Sequence, residues 1–476
     1  MNSFLRRGKL VYASLPPWAR GVAASAYGHY LSWWRYGRDT EAQVEAALER
    51  ETWTRSRWHA YQEERLAELL HRAATRVPYY REYWARRRSV GDHADHGDLR
   101  NWPVLPKTAL RREPSAFLAD DVHEKSLFRV VTSGTSGTPI TVWRSRRSYR
   151  RWYALFEARS RRWYGVHRGS RWAMLGGKAV IPASQREPPY WVWNGGLRQL
   201  YLSALHLSEG NGPAYAAAMK SHGVVHLLGY ASSMYWLAKI IQKSGVAGPR
   251  LEVVVSNAEP FHPHQRAVIG EVFDCPVRDS YGMVEMVAGA SECEGGALHL
   301  WPDAGVVEVM HDDDDVGVPA GHSGRLICTG LLNGEMPLIR YDVGDRGAVR
   351  DWETAAECSC GRSLPVLERI EGRVSDNLIA ADGRSRVYVG AIFNDLAVSE
   401  AQIVQESLGL VRVNAVPDQG FTEATARTIA ERIRARLGQL EVEIQTVDRV
   451  PRGANGKFKS VVNAVEGEAP TGEPAQ

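Results

Sequence analysis

Thr132-Ser133-Gly134-Thr135-Ser136-Gly137-Thr138-Pro139 follows an apolar run that ends at Val131. Its glycines let the backbone turn tightly, so that successive N–H groups point at one anion, and the hydroxyls beside them add donors. That combination suits a polyphosphate. No Gly-Lys-Ser/Thr follows, so the segment is not a Walker loop. Flexible linkers share its composition, and other segments of the chain decide between the two readings.

After the loop, short β-rich runs alternate with helical ones. Val224-Val225-His226-Leu227-Leu228 and Leu251-Glu252-Val253-Val254-Val255 read as buried strands, the second preceding a helix from Pro263 to Phe273. Glycine-bounded strands are expected over 306–310 and 325–329, around a solvated turn at 312–315. Beyond Gly372 a strand at 377–379, a turn at Asp382-Gly383, a helix with Ile429, Ile433 and Leu437 on one face and a strand at 442–447 outline a small α+β unit.

Before the loop, 41–76 has a helical pattern with Leu66, Leu69, Leu70 and Ala73 on one face, and Pro78 is expected to end it. The run Asp92-His93-Ala94-Asp95-His96-Gly97-Asp98 has metal-ligand residue types but reads as a loop between helices. Residues 10–34, rich in Tyr and Trp with flanking arginines, predict a helical arm packed on the domain; the alternative is an arm lying on a membrane surface.

A chain of 476 residues exceeds what one core supports, so more than one domain is expected. The charge sum, 59 Lys+Arg against 55 Asp+Glu, leaves +4, which gives no support to a nucleic-acid partner. Five cysteines, an odd number, fit a reducing, cytoplasmic setting better than a disulfide framework. Pro16-Pro17 interrupts the one stretch resembling a signal-peptide core, and no run of about 18 apolar residues predicts a transmembrane helix. Sixteen tryptophans against nine phenylalanines suggest flat aromatic surfaces lining something.

Five further segments follow the loop in order: Asn257-Ala258-Glu259-Pro260, Tyr281-Gly282-Met283-Val284-Glu285, Arg340-Tyr341-Asp342-Val343-Gly344-Asp345, Gly372-Arg373-Val374-Ser375-Asp376 and Pro451-Arg452-Gly453-Ala454-Asn455-Gly456-Lys457. With Leu105-Pro106-Lys107 and Cys358-Ser359-Cys360-Gly361-Arg362, the set resembles the adenylate-forming superfamily of acyl-CoA ligases, in its phenylacetate–CoA ligase and CapK-like branch, over nearly the whole chain. The resemblance implies an α/β fold: a large multi-sheet AMP-binding domain over 1–372, mainly helical to about residue 100, a small α+β lid domain over 373–465, and a disordered tail over 466–476. It implies ATP-dependent conversion of a carboxylic acid, of aromatic type if the pocket is aromatic, to acyl-AMP. The small domain then swings about 373–376 so that coenzyme A takes the acyl group. An amine, sugar-amine or carrier-protein acceptor, or a weakly active nucleotide-binding homologue, stays open. So does the choice between monomer and homodimer.

Residue by residue, the resemblance has Thr132, Ser133, Gly134, Thr135, Ser136, Gly137 and Thr138 wrap the ATP phosphates. Tyr281, Gly282 and Met283 pack on adenine, with Ala258, Glu259 and Pro260 along its edge. Glu285 holds Mg²⁺, Asp345 accepts from the ribose hydroxyls, Arg373 lies at the hinge, and Lys457 stabilises charge on the α-phosphate, with Thr135 and Glu285 beside it in catalysis. Tyr230, Trp191 and Trp193 fall where the family places its acyl pocket. Val284 stands where the family usually has threonine, removing one donor. Cys293, His299, Cys358 and Cys360 can close a tetrahedral Zn²⁺ site of structural type, leaving Cys275 and Cys328 as core thiols. The arginines at 144, 146, 147, 150, 151, 159, 161 and 162 form a dense basic patch, either a contact for coenzyme A phosphates or a solvated helix face.

Overall fold

The computed structural model describes residues 12–131, 139–177, 179–373, 377–380, 386–388, 392–393, 396–418, 420–450 and 460–465. They divide into two compact units, Met1–Val343 with Ala348–Arg369, and Gly344–Gly347 with Ile370–Gln476.

The first unit opens with α1 (Pro17–Arg35), α2 (Thr40–Glu49), α3 (Arg55–Arg76), α4 (Pro78–Ser89) and α5 (Lys107–Arg112). The helix expected over 41–76 is broken in two. A 3-10 turn at Arg50–Thr52 and extended Trp53 end α2, and the Thr54 hydroxyl caps α3 by accepting from the Arg57 N–H. The break lets Glu51 turn inward to buried arginines, a tertiary demand that outweighs helix propensity. Pro78, expected only as a terminator, also starts α4, because a missing N–H costs nothing at the first helical position. Leu69, Leu70 and Ala73 are buried and Leu66 is half-buried. Residues 92–98 form a loop in which Asp92, Asp95 and Asp98 each accept from the N–H two residues on.

β1 (Phe128–Val131) and β2 (Thr141–Arg144) pair antiparallel with Val131 opposite Thr141, and α6 (Arg146–Ser160) follows. β3 (Trp172–Gly176), β4 (Trp191–Asn194), β5 (Gln199–Ser203), β6 (His226–Gly229), β7 (Val253–Ser256) and β8 (Val277–Arg278) build a sheet in the order β4-β5-β3-β6-β7-β8. All its pairings are parallel except β4 with β5. α7 (Gly212–Ser221), α8 (Ala231–Lys243) and α9 (Pro263–Phe273) accompany it, and Leu227, Val254, Met234, Leu237, Ile269 and Phe273 share one core. Val253, Val254 and Val255 are all buried, as expected of a central parallel strand covered on both faces.

β9 (Ser280–Gly282), β10 (Gly289–Glu292) and β11 (Leu298–Leu300) form a second sheet, and β12 (Gly305–Met310), β13 (Gly324–Gly330), β14 (Tyr341–Val349) and β15 (Leu367–Arg373) a third in chain order. Trp34, Trp58, Trp84, Trp102, Trp143, Trp152, Trp172 and Trp301 are buried, so half of the sixteen tryptophans are packing material rather than the lining expected of them.

In the second unit, β16 (Asn377–Ile379) pairs with β17 (Arg386–Tyr388). β18 (Val398–Ser407), β19 (Leu410–Pro417), β20 (Glu441–Thr446) and β21 (Val461–Asn463) form a sheet ordered β20-β19-β18-β21. α10 (Glu423–Leu437) packs Ile429, Ile433 and Leu437 against Ile403, Val411 and Val413. Among the described residues, no helix is long and apolar enough to cross a membrane.

Candidate active site and metal centre

Two of the quoted segments and Tyr230 emerge where an open α/β sheet binds its ligands, outside the carboxyl ends of parallel strands. Tyr230 follows β6, Asn257-Ala258-Glu259-Pro260 follows β7, and Tyr281-Gly282 follows β8. A half-buried carboxylate holds these ends together. Asp279 accepts from the Ser256 hydroxyl at 2.8 Å and the Phe261 N–H at 3.0 Å, and the Ser280 N–H donates to Ser256 Oγ at 3.1 Å. Arg266 Nη2 clamps Asp279 at 2.5 Å and Glu292 at 2.7 Å. Burial raises the Asp279 carboxyl, and Arg266 offsets only part of that.

Ala258 adopts φ +67, a left-handed conformation costing a non-glycine residue about 1–3 kcal/mol. The preceding Asn257 N–H is anchored on the Gly229 carbonyl at 2.7 Å. Glu259 Oε2 accepts from the Ser232 N–H at 3.0 Å and its hydroxyl at 2.7 Å, while Oε1 is buried without a partner among the described residues. Tyr230 lies within the influence of the Gly177 N–H and the Glu259 charge, and burial makes its phenol a weaker acid.

Trp191 and Trp193 do not join Tyr230. They lie on edge strand β4, three strand spacings from β6, after which Tyr230 comes, about 14 Å away. There they pack against Tyr215 at 6.2 Å and His222 at 5.2 Å. An aromatic acyl pocket built from these three residues is therefore not formed; the antiparallel insertion of β4 carries the two tryptophans to the far edge.

Tyr281 stands opposite Ala290 in the β9–β10 pair. Glu285, 8% exposed, accepts the Tyr341 hydroxyl at 2.8 Å on Oε1. Burial and the Glu285 charge keep the Tyr341 phenol protonated, so it donates. Arg340 takes a bracing part: its guanidinium reaches the Trp102 carbonyl at 2.7 Å and Glu308 at 3.2 Å. Leu105-Pro106-Lys107 braces the same strand, the Leu105 N–H on the Arg340 carbonyl and Lys107 Nζ on that of Val343.

The basic patch does not exist as one surface. Arg144, Arg159 and Arg161 are buried, because each turns inward, Arg159 to Glu51 and Asp303 and Arg161 to Glu157. Arg144, at the end of β2, has Nε and Nη2 buried without a hydrogen-bond partner among the described residues. Burial works against its charge, and Tyr149, Tyr153 and Glu285 favour it.

Asp345 belongs to the second unit, and only the backbone of Arg373 is described, at the end of β15. Thr132, Ser133, Gly134, Thr135, Ser136, Gly137, Thr138 and Lys457 lie outside the described residues. Asp279, Arg266, Glu292 and Ser232 escaped the sequence reading. Tyr341 stood inside a quoted segment without a role, and Arg144 was absorbed into the basic run.

The metal-ligand quartet does come together. One ligand atom from each of Cys293, His299, Cys358 and Cys360 lies within 4.8 Å of the others. Tetrahedral bonds of about 2.3 Å to sulfur and 2.05 Å to nitrogen put neighbouring sulfurs about 3.8 Å apart and sulfur about 3.6 Å from nitrogen. Cys293 Sγ is 3.7 Å from Cys358 Sγ, and Cys360 Sγ is 3.4 Å from His299 Nε2. His299 donates Nδ1–H to the Leu364 carbonyl at 3.0 Å, which turns the Nε2 lone pair to the sulfurs. Burial keeps His299 neutral and pushes the Cys293 thiol up to about 12, a penalty that a bound cation removes. The residues fit a zinc-type ion.

Cys328 is buried, and burial pushes the Cys275 thiol up to about 12. Both are placed as core thiols.

Around the quartet, Glu51 accepts from Arg159 Nε at 3.3 Å, Arg362 Nε at 3.1 Å and Trp163 Nε1 at 2.9 Å. Arg159 Nη1 also meets Asp303 at 2.6 Å. Arg362 and Ser363, directly after Cys360-Gly361, thus tie the ligand loop to the α2–α3 junction.

Comparison with known proteins adds three findings. Residues 379–464 match the family of CapK C-terminal domains. Protein CapK of Staphylococcus aureus is 22% identical over 85% of this chain and 89% of its own length, and the phenylacetate–coenzyme A ligase of Thermus thermophilus is 29% identical over 70% and 74%. Among solved structures, 2-hydroxyisobutyryl-CoA ligase in the postadenylation state with R3-HIB-AMP superimposes with a TM-score of 0.64, at 20% identity, over 88% of this chain and 92% of that one.

Proposed function

This chain is a homologue of CapK and of phenylacetate–coenzyme A ligase with an adenylate-forming fold, and on that premise we propose that it activates a carboxylic acid with ATP and passes the acyl group to coenzyme A. The acid's carboxylate displaces pyrophosphate from ATP to give acyl-AMP, and the thiol of coenzyme A then displaces AMP. The observation that carries the reading is the gathering of Tyr230, Glu259 and Tyr281 outside the carboxyl ends of β6, β7 and β8.

In this reading adenine lies between Tyr281 and the Ala258-Glu259-Pro260 edge, where the unpartnered Glu259 Oε1 accepts from its amino group. Tyr230 lies on the acyl side. Glu285, oriented by Tyr341, would hold a Mg²⁺ whose charge screens the phosphates from the incoming carboxylate. Arg144, a buried cation whose Nε and Nη2 have no hydrogen-bond partner among the described residues and which feels that carboxylate's charge, is read as a second counter-charge for them. The segment 132–138 cradles the phosphates, Asp345 takes the ribose hydroxyls, and Lys457 steadies charge on the α-phosphate during adenylation.

The test is pyrophosphate release with a panel of carboxylic acids, repeated with and without coenzyme A. The expected result is acid-dependent release for at least one acid, with a thioester formed only when coenzyme A is present; release independent of any acid would sink the reading. Lys457→Ala is expected to abolish release while sparing transfer from preformed acyl-AMP.

The quartet is read as a structural zinc centre. Stoichiometric zinc in the purified protein, and a lower melting temperature after chelation, are expected. Zinc-free protein with all five thiols titratable would contradict it.

A further inference from the structure

Of the twelve large apolar side chains that stay exposed among the described residues, five, Trp18, Val22, Tyr27, Tyr30 and Trp33, sit on the single helix α1. Scattered exposed apolar groups need no explanation, but a concentration on one helix does. At 100° per residue, Trp18, Val22 and Trp33 fall within about 60° of one another, with Tyr30 alongside. Tyr27, Tyr30 and Trp33 form a stacked ladder, with ring centroids 6.0 and 6.5 Å apart.

The helix is not a loose arm. Its opposite face carries Leu31 and Trp34 into the core, and Gly28 lies so close to β4 that a Cβ there would stand 1.8 Å from Asn194 Oδ1. The Gly195 N–H also donates to Ser25 Oγ at 2.9 Å. The aromatic face is therefore presented outward on a rigid platform.

From Met1 to Arg38 the charged residues have one sign. No Asp or Glu precedes Asp39, whereas Arg6, Arg7, Lys9, Arg20, Arg35 and Arg38 do. Arg20 and Arg35 are engaged, the first with the Leu15 carbonyl and Gln185 and the second stacked over Tyr153. Asp39 faces Arg150 at 4.0 Å. Arg146 lies 4.1 Å over the Trp33 ring, and Arg147 and Arg38 are exposed. Amphipathic indole and phenol rings beside guanidinium groups match the boundary between acyl chains and anionic headgroups.

We propose that the exposed face of α1, with Arg38 and Arg146 beside it, docks this protein on an anionic lipid surface, lying in the interface without crossing it. The proposal does not rest on the ligase reading.

Full-length protein is to be sedimented with vesicles of phosphatidylcholine alone and of phosphatidylcholine mixed with phosphatidylglycerol. Binding to the mixed vesicles, weakened by salt, is expected, together with quenching of tryptophan fluorescence by brominated acyl chains, a readout that needs no variant. Trp18→Ser, Val22→Ser and Trp33→Ser combined should lower partitioning by at least about tenfold. Arg38→Gln and Arg146→Gln combined should reduce the preference for the mixed vesicles. No binding or quenching in the wild type, or equal partitioning of a folded apolar triple variant, overturns the proposal. So does a wild-type dimer in sedimentation equilibrium that the triple variant breaks, since the occupant is then a second copy.

Discussion

Two buried carboxylates of the first unit, Glu51 and Glu285, have similar exposure, 5% and 8%, and opposite surroundings. Glu51 is saturated: two arginines and an indole donate to it, and its backbone carbonyl holds Ser363. Among the described residues Glu285 accepts from the Tyr341 hydroxyl, and Arg144 keeps Nε and Nη2 buried without a hydrogen-bond partner. A saturated cluster has no capacity left for a ligand and serves to hold chain segments in place, whereas an unsaturated one is costly until something polar arrives. Burial lifts the Glu51 carboxyl above the usual carboxylate range despite its partners, so that network specifies a geometry more than it adds stability.

The comparison can be broken at four points. Glu51→Ala takes from buried Arg159 and half-buried Arg362 the acceptor they share, leaving them Asp303 and Glu294, and is expected to cost about 1–3 kcal/mol in denaturant unfolding and to loosen metal retention. A loss below 1 kcal/mol would mean that the cluster is not the clamp described.

His226 asks whether every unpartnered buried atom marks a site. It stacks on Trp172 at 5.8 Å with Nδ1 unpartnered, and burial, with Arg161 and His167 adding to it, lowers its pKa to about 3. Its folded pKa lies below the unfolded value of about 6.5, so the unfolded chain binds a proton that the folded one refuses. Stability is then lost as pH falls from about 6.5 towards 3, by about 2 kcal/mol at pH 5, and His226→Gln should flatten that slope.

Tyr341→Phe removes the one hydroxyl on Glu285. A charged hydrogen bond of about 1.5 kcal/mol corresponds to roughly tenfold slower pyrophosphate release. Smallest in stability is Arg144→Met, expected to leave unfolding unchanged or to raise stability by up to about 1 kcal/mol while release falls at least about tenfold. Parallel loss of stability and activity would place Arg144 with Glu51 among the scaffold groups.

What could be read beforehand tracked how locally it was encoded. The helix Pro263–Phe273 was legible at both ends, because proline at the first position and the left-handed Asp274 after the last are local signals. The metal quartet was legible from residue types, since few other roles bring three thiols and an imidazole together. The Tyr341–Glu285 contact spans 56 residues and no periodicity announces it. Trp191 and Trp193 went to the wrong place because position along the chain does not give position in the sheet: β4 turns antiparallel and joins the outer edge. The arginine run misled for a related reason. Residue type suggested a wet face, while the acids that draw Arg159 and Arg161 inward are set by tertiary packing.

Cys293 and Cys358 stand 65 residues apart along the chain, with β11, β12, β13 and the whole of β14 between them. Closing a loop of that length costs about 4 kcal/mol of chain entropy, which has to be met before the four ligand atoms face one another. An ion that needs all four is captured late on the folding route, and once held it subtracts that entropy from the unfolding side. The rate at which such an ion is taken up during refolding would therefore report when the segment between Cys293 and Cys358 closes.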